Sequence, residues 1–282
     1  KSAALRFAFG ELSPKDFDGY LILDADSSVD SELIESVRNR LAFGAAAVQC
    51  RNVVSNSEES PRTALLAVAL TAFNGVRPRG RARWGLSAGP LANGFAVRCD
   101  TLSLVPFAAN SIVEDLEYQL LLVDYGLSVE FADEAAVQSP MPSLGPASAS
   151  QRCRWEGGRL RVASQWIARL GTGVARGHWR LAEPLAELLT LPLAFHASLL
   201  AIWTIASLHF GILLLAAMCS WTVLFLHAAT ALAATKNALS AARALAFAPA
   251  YLIWKLRLIP QLLRAARPEA SWMEKQHVSG TR

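Results

Sequence analysis

Between Glu187 and Lys236 the chain has no Asp, Glu, Lys or Arg. That run of 48 residues is long enough for two bilayer crossings at about 20 residues each. The pattern predicts a hairpin of helices over 188–207 and 211–234, turning near His209, Phe210 and Gly211. The whole chain is 53% hydrophobic, with a mean hydropathy of +0.29. The excess sits in this block, because charges are spread throughout the part before it. The basic residues Lys236, Arg243, Lys255, Arg257, Arg264, Arg267, Lys275 and Arg282 follow the block, against Glu269 and Glu274. Basic flanks mark the cytoplasmic side of a span. A hairpin returns the chain to the side it left, so the N-terminal part is expected to be cytoplasmic too. The expected location is the inner or plasma membrane, crossed more than once. Residues 244–263 are apolar but interrupted by Pro249, Lys255, Arg257 and Pro260, and read as interfacial or re-entrant, with a short third span as the alternative.

The N-terminal part alternates helix and strand patterns. Residues 3–12 have helical spacing, and 20–23 form a short strand. Asp30 and Ser31 suggest a cap for a helix over 31–43, followed by a strand in "AAAVQCRN". Pro61 opens a helix over "RTALLAVALTAFNGV". A loop rich in glycine and arginine, 77–94, comes next, then a strand in "GFAVR", a helix in "EDLEYQLLLVDYG" ending at Gly126, and a strand in "LSVEFA". This alternation predicts an α/β domain with a mostly parallel sheet and helices on both faces. Residues 139–150 read as a loop. "QRCRWEGGRLRVASQWIARLGTG" reads as an amphipathic helix with a break at Gly157 and Gly158, suited to a membrane face. Four scattered cysteines without metal spacing read as incidental thiols. "RPRGRAR" reads as a basic loop facing solvent or membrane; it lacks interleaved aromatics, so nucleic acid is not an expected partner.

Three motifs point to chemistry. "LILDAD" delivers Asp24 and Asp26 at a strand end. Carboxyl ends of strands in open sheets bind ligands. Two carboxylates there can hold Mg²⁺ or Mn²⁺, or simply decorate a solvated turn. Glu114 and Asp115 open a helix, either as caps or with Asp115 as a general base. Gln151, Arg154 and Trp155 combine a cation that can offset a leaving group's charge with an indole that can stack on a sugar, or they begin an amphipathic helix.

In this order, with "ANGF" (Asn93, Gly94) between the first two motifs and apolar helices after the last, the chain resembles the family 2 inverting glycosyltransferases. The likeness is to the membrane-bound branch that includes cellulose, chitin and hyaluronan synthases. It implies a GT-A-like catalytic domain at 1–150, Gln-x-x-Arg-Trp and interfacial helices at 151–187, a transmembrane hairpin at 188–234, and a basic interfacial helix and tail at 235–282. It also implies a nucleotide-sugar donor, with UDP as the expected nucleotide, and a carbohydrate or glycolipid acceptor at the lipid bilayer. Asp24 and Asp26 would hold the metal and the donor diphosphate, with Asp26 the more direct ligand. Asp115 would be the catalytic base. Glu114, Asn93, Gly94, Gln151, Arg154 and Trp155 would contact substrate, and Lys1, in "KSAAL", would sit near the nucleotide. The family's first strand and its base-contacting aspartate normally lie upstream of Lys1, so the chain is expected to lack them and to bind nucleotide weakly by itself. The expected reaction extends a polysaccharide; a glycolipid product is the alternative. A haloacid-dehalogenase-like phosphatase also places Asp-x-Asp after a strand, but Lys15 is the only lysine from residue 2 to 235. That reading leaves Gln-x-x-Arg-Trp unexplained. A further alternative is an inactive membrane-anchored homologue or scaffold; intact Asp26, Asp115 and Trp155 argue against it.

Overall fold

The computed structural model describes residues 1–12, 16–89, 93–143 and 145–267. Lys15 and the tail from 268 onward, with Lys275, Arg282, Glu269 and Glu274, lie outside the described residues. Helix α1 (Ser2–Glu11) leads to strand β1 (Gly19–Ile22) and the two-residue strand β2 (Ser28–Val29). Helix α2 (Leu33–Ala42), strand β3 (Ala47–Val54) and helix α3 (Pro61–Thr71) follow. A π-turn at 72–76 joins α3 to α4 (Arg77–Arg83). Next come β4 (Phe95–Arg98), α5 (Cys99–Leu104), α6 (Glu114–Asp124) and β5 (Val129–Ser139). The remainder is helical: α7 (Gly145–Ala175), α8 (Ala182–Leu189), α9 (Leu193–Ala206), α10 (Gly211–Ala234), α11 (Ala238–Ala244), α12 (Ala248–Arg257) and α13 (Ile259–Ala265).

The sheet order is β1-β4-β3-β5-β2, and only the β3–β5 pairing is parallel. The expected mostly parallel sheet is therefore a mixed one. Strands β1, β3 and β5 do run the same way, as the helical connections require, but β4 lies antiparallel between β1 and β3. Sequence alternation senses direction along connected strands; it cannot sense which strand is later inserted between them. Helices do cover both faces. Leu33 and Val37 of α2 pack on Val48, Cys50, Ala96 and Val137. Tyr118 and Leu122 of α6 pack on Ala47, Val97, Val129 and Phe131. Neighbours such as Ala47 and Val48 serve opposite faces, as the pleat dictates.

Strands β1 and β2 are close in sequence yet occupy opposite edges of the sheet. Residues 23–27 must therefore cross the end where β1, β3 and β5 finish. Asp24 and Asp26 ride on that crossing. Asp30 does not cap α2. Its carboxylate instead accepts from Ala136 N (3.2 Å) and Gln138 Nε2 (3.2 Å) on β5, and pins the crossing down.

Four further expectations change. "RPRGRAR" is helix α4, not a loop, and its arginines find acids remote in sequence. Arg79 pairs with Asp133 (2.6 Å), while Arg77 and Arg81 pair with Glu187. Residues 145–150 belong to α7, so the predicted loop ends earlier. Helix α7 runs unbroken through Gly157 and Gly158. A Cβ on Gly157 would lie 2.7 Å from Ala265 Cβ and 3.0 Å from Leu262 O on α13; one on Gly158 would lie 3.0 Å from Val113. These glycines are points of close approach rather than hinges. Helix α7 also does not lie bare along a membrane: Val162, Trp166 and Leu170 pack with Leu116 and Leu120 of α6 and Leu188 of α8. Gly157→Val is expected to push α13 away and cost about 1–3 kcal/mol, read as a lowered unfolding midpoint.

The expected hairpin is also revised. Helix α10 is 24 residues long with a mean hydropathy of 2.0. The first arm is not one helix: α8 and α9 are bent by 79° around Thr190–Pro192, and α9 has only 14 residues. At 1.5 Å per residue, α9 reaches about 21 Å, short of a hydrocarbon core of about 30 Å. Among the described residues one helix is long and apolar enough to cross a membrane, or two if the bent pair counts as a single span. Residues 244–263 form a succession of short helices, none of them long enough to span.

Candidate active site

The crossing segment 23–27 is held by a buried side chain. Asn93 Oδ1 accepts from Asp24 N (3.0 Å). Asn93 Nδ2 donates to Ser27 Oγ (2.7 Å) and Ser139 Oγ (2.8 Å). Gln49 Nε2 donates to the Asn93 carbonyl (2.8 Å). The Asn93 amide is thus spent on joining the end of β1 to the end of β5. Gly94 follows with φ +73, and a Cβ there would stand 2.6 Å from Val137 Cγ2. Its N–H donates to Ile22 O (3.0 Å), and its carbonyl accepts from Cys50 N (2.8 Å). "NG" at this point is what the sheet end requires.

Lys1 Nζ donates to Asp24 Oδ1 at 2.6 Å. Asp26 is exposed and, among the described residues, has neither hydrogen bond nor ion pair. Glu114 and Asp115 occupy the first turn of α6, where the cap residue is Val113. Glu117 is the acid that reaches back, accepting from Asn110 N (3.0 Å) and Ser111 N (2.9 Å). Burial pushes the Asp115 carboxyl above its ordinary range, and the Asp24 charge adds to this; neighbouring backbone N–H groups and Lys1 pull the other way. Burial, then the Asp115 charge, likewise raises Glu114. A carboxyl held up this way is suited to accepting a proton.

From α7, Gln151 presents a buried Oε1 with no partner among the described residues, and Arg154 is exposed. Trp155 packs beside Val54, Leu66, Ala67 and Met141. Lys1, Asp24, Asp26, Asn93, Glu114, Asp115, Gln151, Arg154 and Trp155 all line one cavity of about 2510 Å³. Gly94 is not part of its wall. A family model described as glycosyl transferase family group 2 matches residues 20–237. The chain belongs to that family. No curated protein matches it. It is accordingly a glycosyltransferase, and the match covers every motif residue named above except Lys1.

The transferase also has two charged groups that sequence reasoning did not find. Glu187 on α8 is buried and receives Arg77 (2.9 Å), Arg81 and Arg159 (3.1 Å); Arg81 also meets Glu183 at 2.7 Å. The signal was available: Arg77 and Arg81 are four apart, as are Glu183 and Glu187, so each pair shares one helix face. Lys255 Nζ, only 4% exposed, pairs with Glu156 Oε1 at 2.7 Å. No local pattern announces that pair, because α7 and α12 are about a hundred residues apart.

Proposed function

We propose that this transferase moves a sugar from a nucleoside-diphosphate sugar, UDP-linked by family resemblance, to an acceptor hydroxyl in a single inverting displacement. One observation carries the reading: acids from the β1–β2 crossing and the start of α6 share a cavity wall with Arg154 and Trp155 of α7. Asp115 takes the proton from the acceptor hydroxyl as its oxygen bonds to the anomeric carbon. The bond from that carbon to the diphosphate oxygen breaks on the opposite face, and the nucleoside diphosphate departs with the electron pair. Arg154 offsets the charge developing on the diphosphate. Trp155 offers a flat face for a sugar ring.

The donor set fits a hard divalent cation. Asp26 offers an unpaired carboxylate, and Asp24 presents a second one residue apart. Among the described residues no group of three or more His, Cys, Asp or Glu forms a closed cage. Two carboxylates with substrate phosphate oxygens and water completing the shell is how Mg²⁺ or Mn²⁺ is usually held at phosphate sites. When bound, such an ion supplies charge stabilisation for the diphosphate. Transfer of labelled sugar is expected to stop on chelation, to return on adding Mn²⁺ or Mg²⁺, and to fall at least about 10²-fold in Asp26→Asn. Undiminished transfer in chelator would remove the metal from this reading.

The family-based expectation was a growing polysaccharide as acceptor. A lipid-linked acceptor is favoured by the far wall of the cavity, made by Ala194 of α9, Val223 and Leu224 of α10 and Leu252 of α12. An exposed apolar α10 supports a membrane location, since Ile212, Leu215, Phe225 and Leu226 are each mostly exposed. Partition of the purified chain into detergent or vesicles, with α10 protected from aqueous labelling, tests this.

A further inference from the structure

The cavity wall carries cations that the proposed chemistry does not use. Arg152 is 9% exposed and Lys255 4% exposed, and both line the cavity. The Arg62 guanidinium adjoins them, lying 3.9 Å over the Trp254 ring, while that of Arg152 lies 5.1 Å from the Trp155 ring. Glu156 is the one carboxylate in the group, and Lys255 already occupies its Oε1. Glu156 Oε2 is also buried without a hydrogen-bond partner among the described residues, yet this one carboxylate neutralises only one of three positive charges. Nε and Nη2 of both Arg62 and Arg152 are buried with no hydrogen-bond partner among the described residues. Burying unsatisfied charged donors is costly, and native folds rarely leave such groups without a reason. Burial depresses both Arg62 and Lys255, and the Arg152 charge depresses each further, so the three cations sense one another.

The missing component is an anion. Guanidinium forks match tetrahedral oxyanions in a bidentate manner, and an ammonium adds a point charge. A second carboxylate from the protein would serve as well, but none among the described residues faces the group. Tyr251 stands in the same cluster, and Leu245, Ala248 and Leu252 extend the wall in apolar side chains. An oxyanion bearing a hydrocarbon tail fits this mixture better than a bare ion.

We propose that Arg62, Arg152 and Lys255 form a phosphate-ester site, distinct from the acids at Asp24, Asp26 and Asp115, that takes the headgroup of an anionic lipid. Free phosphate shares the chemistry, so the test separates the two sources. The full chain in phosphatidylcholine nanodiscs is titrated with short-chain phosphatidylglycerol and, separately, with inorganic phosphate. Binding of either supports the site, and a preference for phosphatidylglycerol identifies the lipid as source. Arg62→Gln and Arg152→Gln should each weaken binding about tenfold. Asp26→Asn should leave it unchanged, which distinguishes this site from that of the sugar donor. Ligand should raise the melting temperature of the unmodified protein but not of Arg152→Gln. Without ligand, Arg152→Gln should melt no lower than the unmodified protein, because it removes an unpaired buried charge. Binding that survives both arginine substitutions, that is lost only in Asp26→Asn, or that is absent for both probes would overturn the proposal. So would an Arg152→Gln variant that is destabilised in the absence of ligand, since that marks a structural arginine.

Discussion

Replacing Asp115 by Asn is expected to lower sugar transfer by about 10²–10⁴-fold, the usual contribution of a positioned base, while donor affinity stays within a few-fold. Asn keeps the shape and polarity of Asp but cannot take a proton. A parallel fall in donor affinity would mean that residue 115 binds the donor rather than the acceptor hydroxyl. The pH dependence follows from the same environment. Burial and the Asp24 charge raise the Asp115 carboxyl, so its basic form is lost at higher pH than in an ordinary aspartate. The acid limb of kcat/KM should therefore lie above the usual value of about 3.9. Stability moves the opposite way. A folded pKa raised above the unfolded one contributes stability below the unfolded pKa, and that contribution is lost as pH rises through the folded pKa. At neutral pH the ionised Asp115 is thus a burden on the unliganded fold. Asp115→Asn should melt higher than the unmodified protein at pH 7–8, and the gap should close below roughly pH 4. An inactive variant with unchanged or lower stability at neutral pH would sink the claim that burial dominates this site.

The second large effect is expected at Glu187. Removing one partner of a buried ion pair costs about 3–5 kcal/mol, because the charges left behind stay buried and unpaired. Glu187→Gln leaves Arg77, Arg81 and Arg159 to share Glu183, so the upper part of that range is expected. The damage should reach the active site, because Glu187 joins α4, α7 and α8, and α7 carries Gln151, Arg154 and Trp155. Thermal unfolding in detergent, together with protease sensitivity near Thr190, measures it. A loss below about 1 kcal/mol would mean that water already solvates these arginines.

The elements that were legible share a property: their signals are local. Pro61 after Ser60 opens α3, with a reciprocal cap between Ser60 and Thr63. Gly126, at φ +78, closes α6 where expected. Helix α4 was misread because Pro78, Gly80 and four arginines look like a loop. Pro78 sits in the first turn, where its missing N–H is harmless, and Arg77, Arg79 and Arg81 are satisfied by Asp133, Glu183 and Glu187, remote in sequence. The bend before α9 falls next to Pro192, a signal that the uniform apolarity of the block conceals.

Composition and spacing alone determined that this chain combines an α/β part with an apolar helical part, and the order of its motifs carried the resemblance to family 2 glycosyltransferases. Hydrophobic period and motif order are properties of neighbouring residues, so they survive without coordinates. Only the tertiary structure decided that β4 slots between β1 and β3, that residues 23–27 must cross the sheet end, and that the buried Arg152 and Lys255 line the same cavity as the acids. Those outcomes depend on long-range pairing and desolvation, which no window of sequence contains.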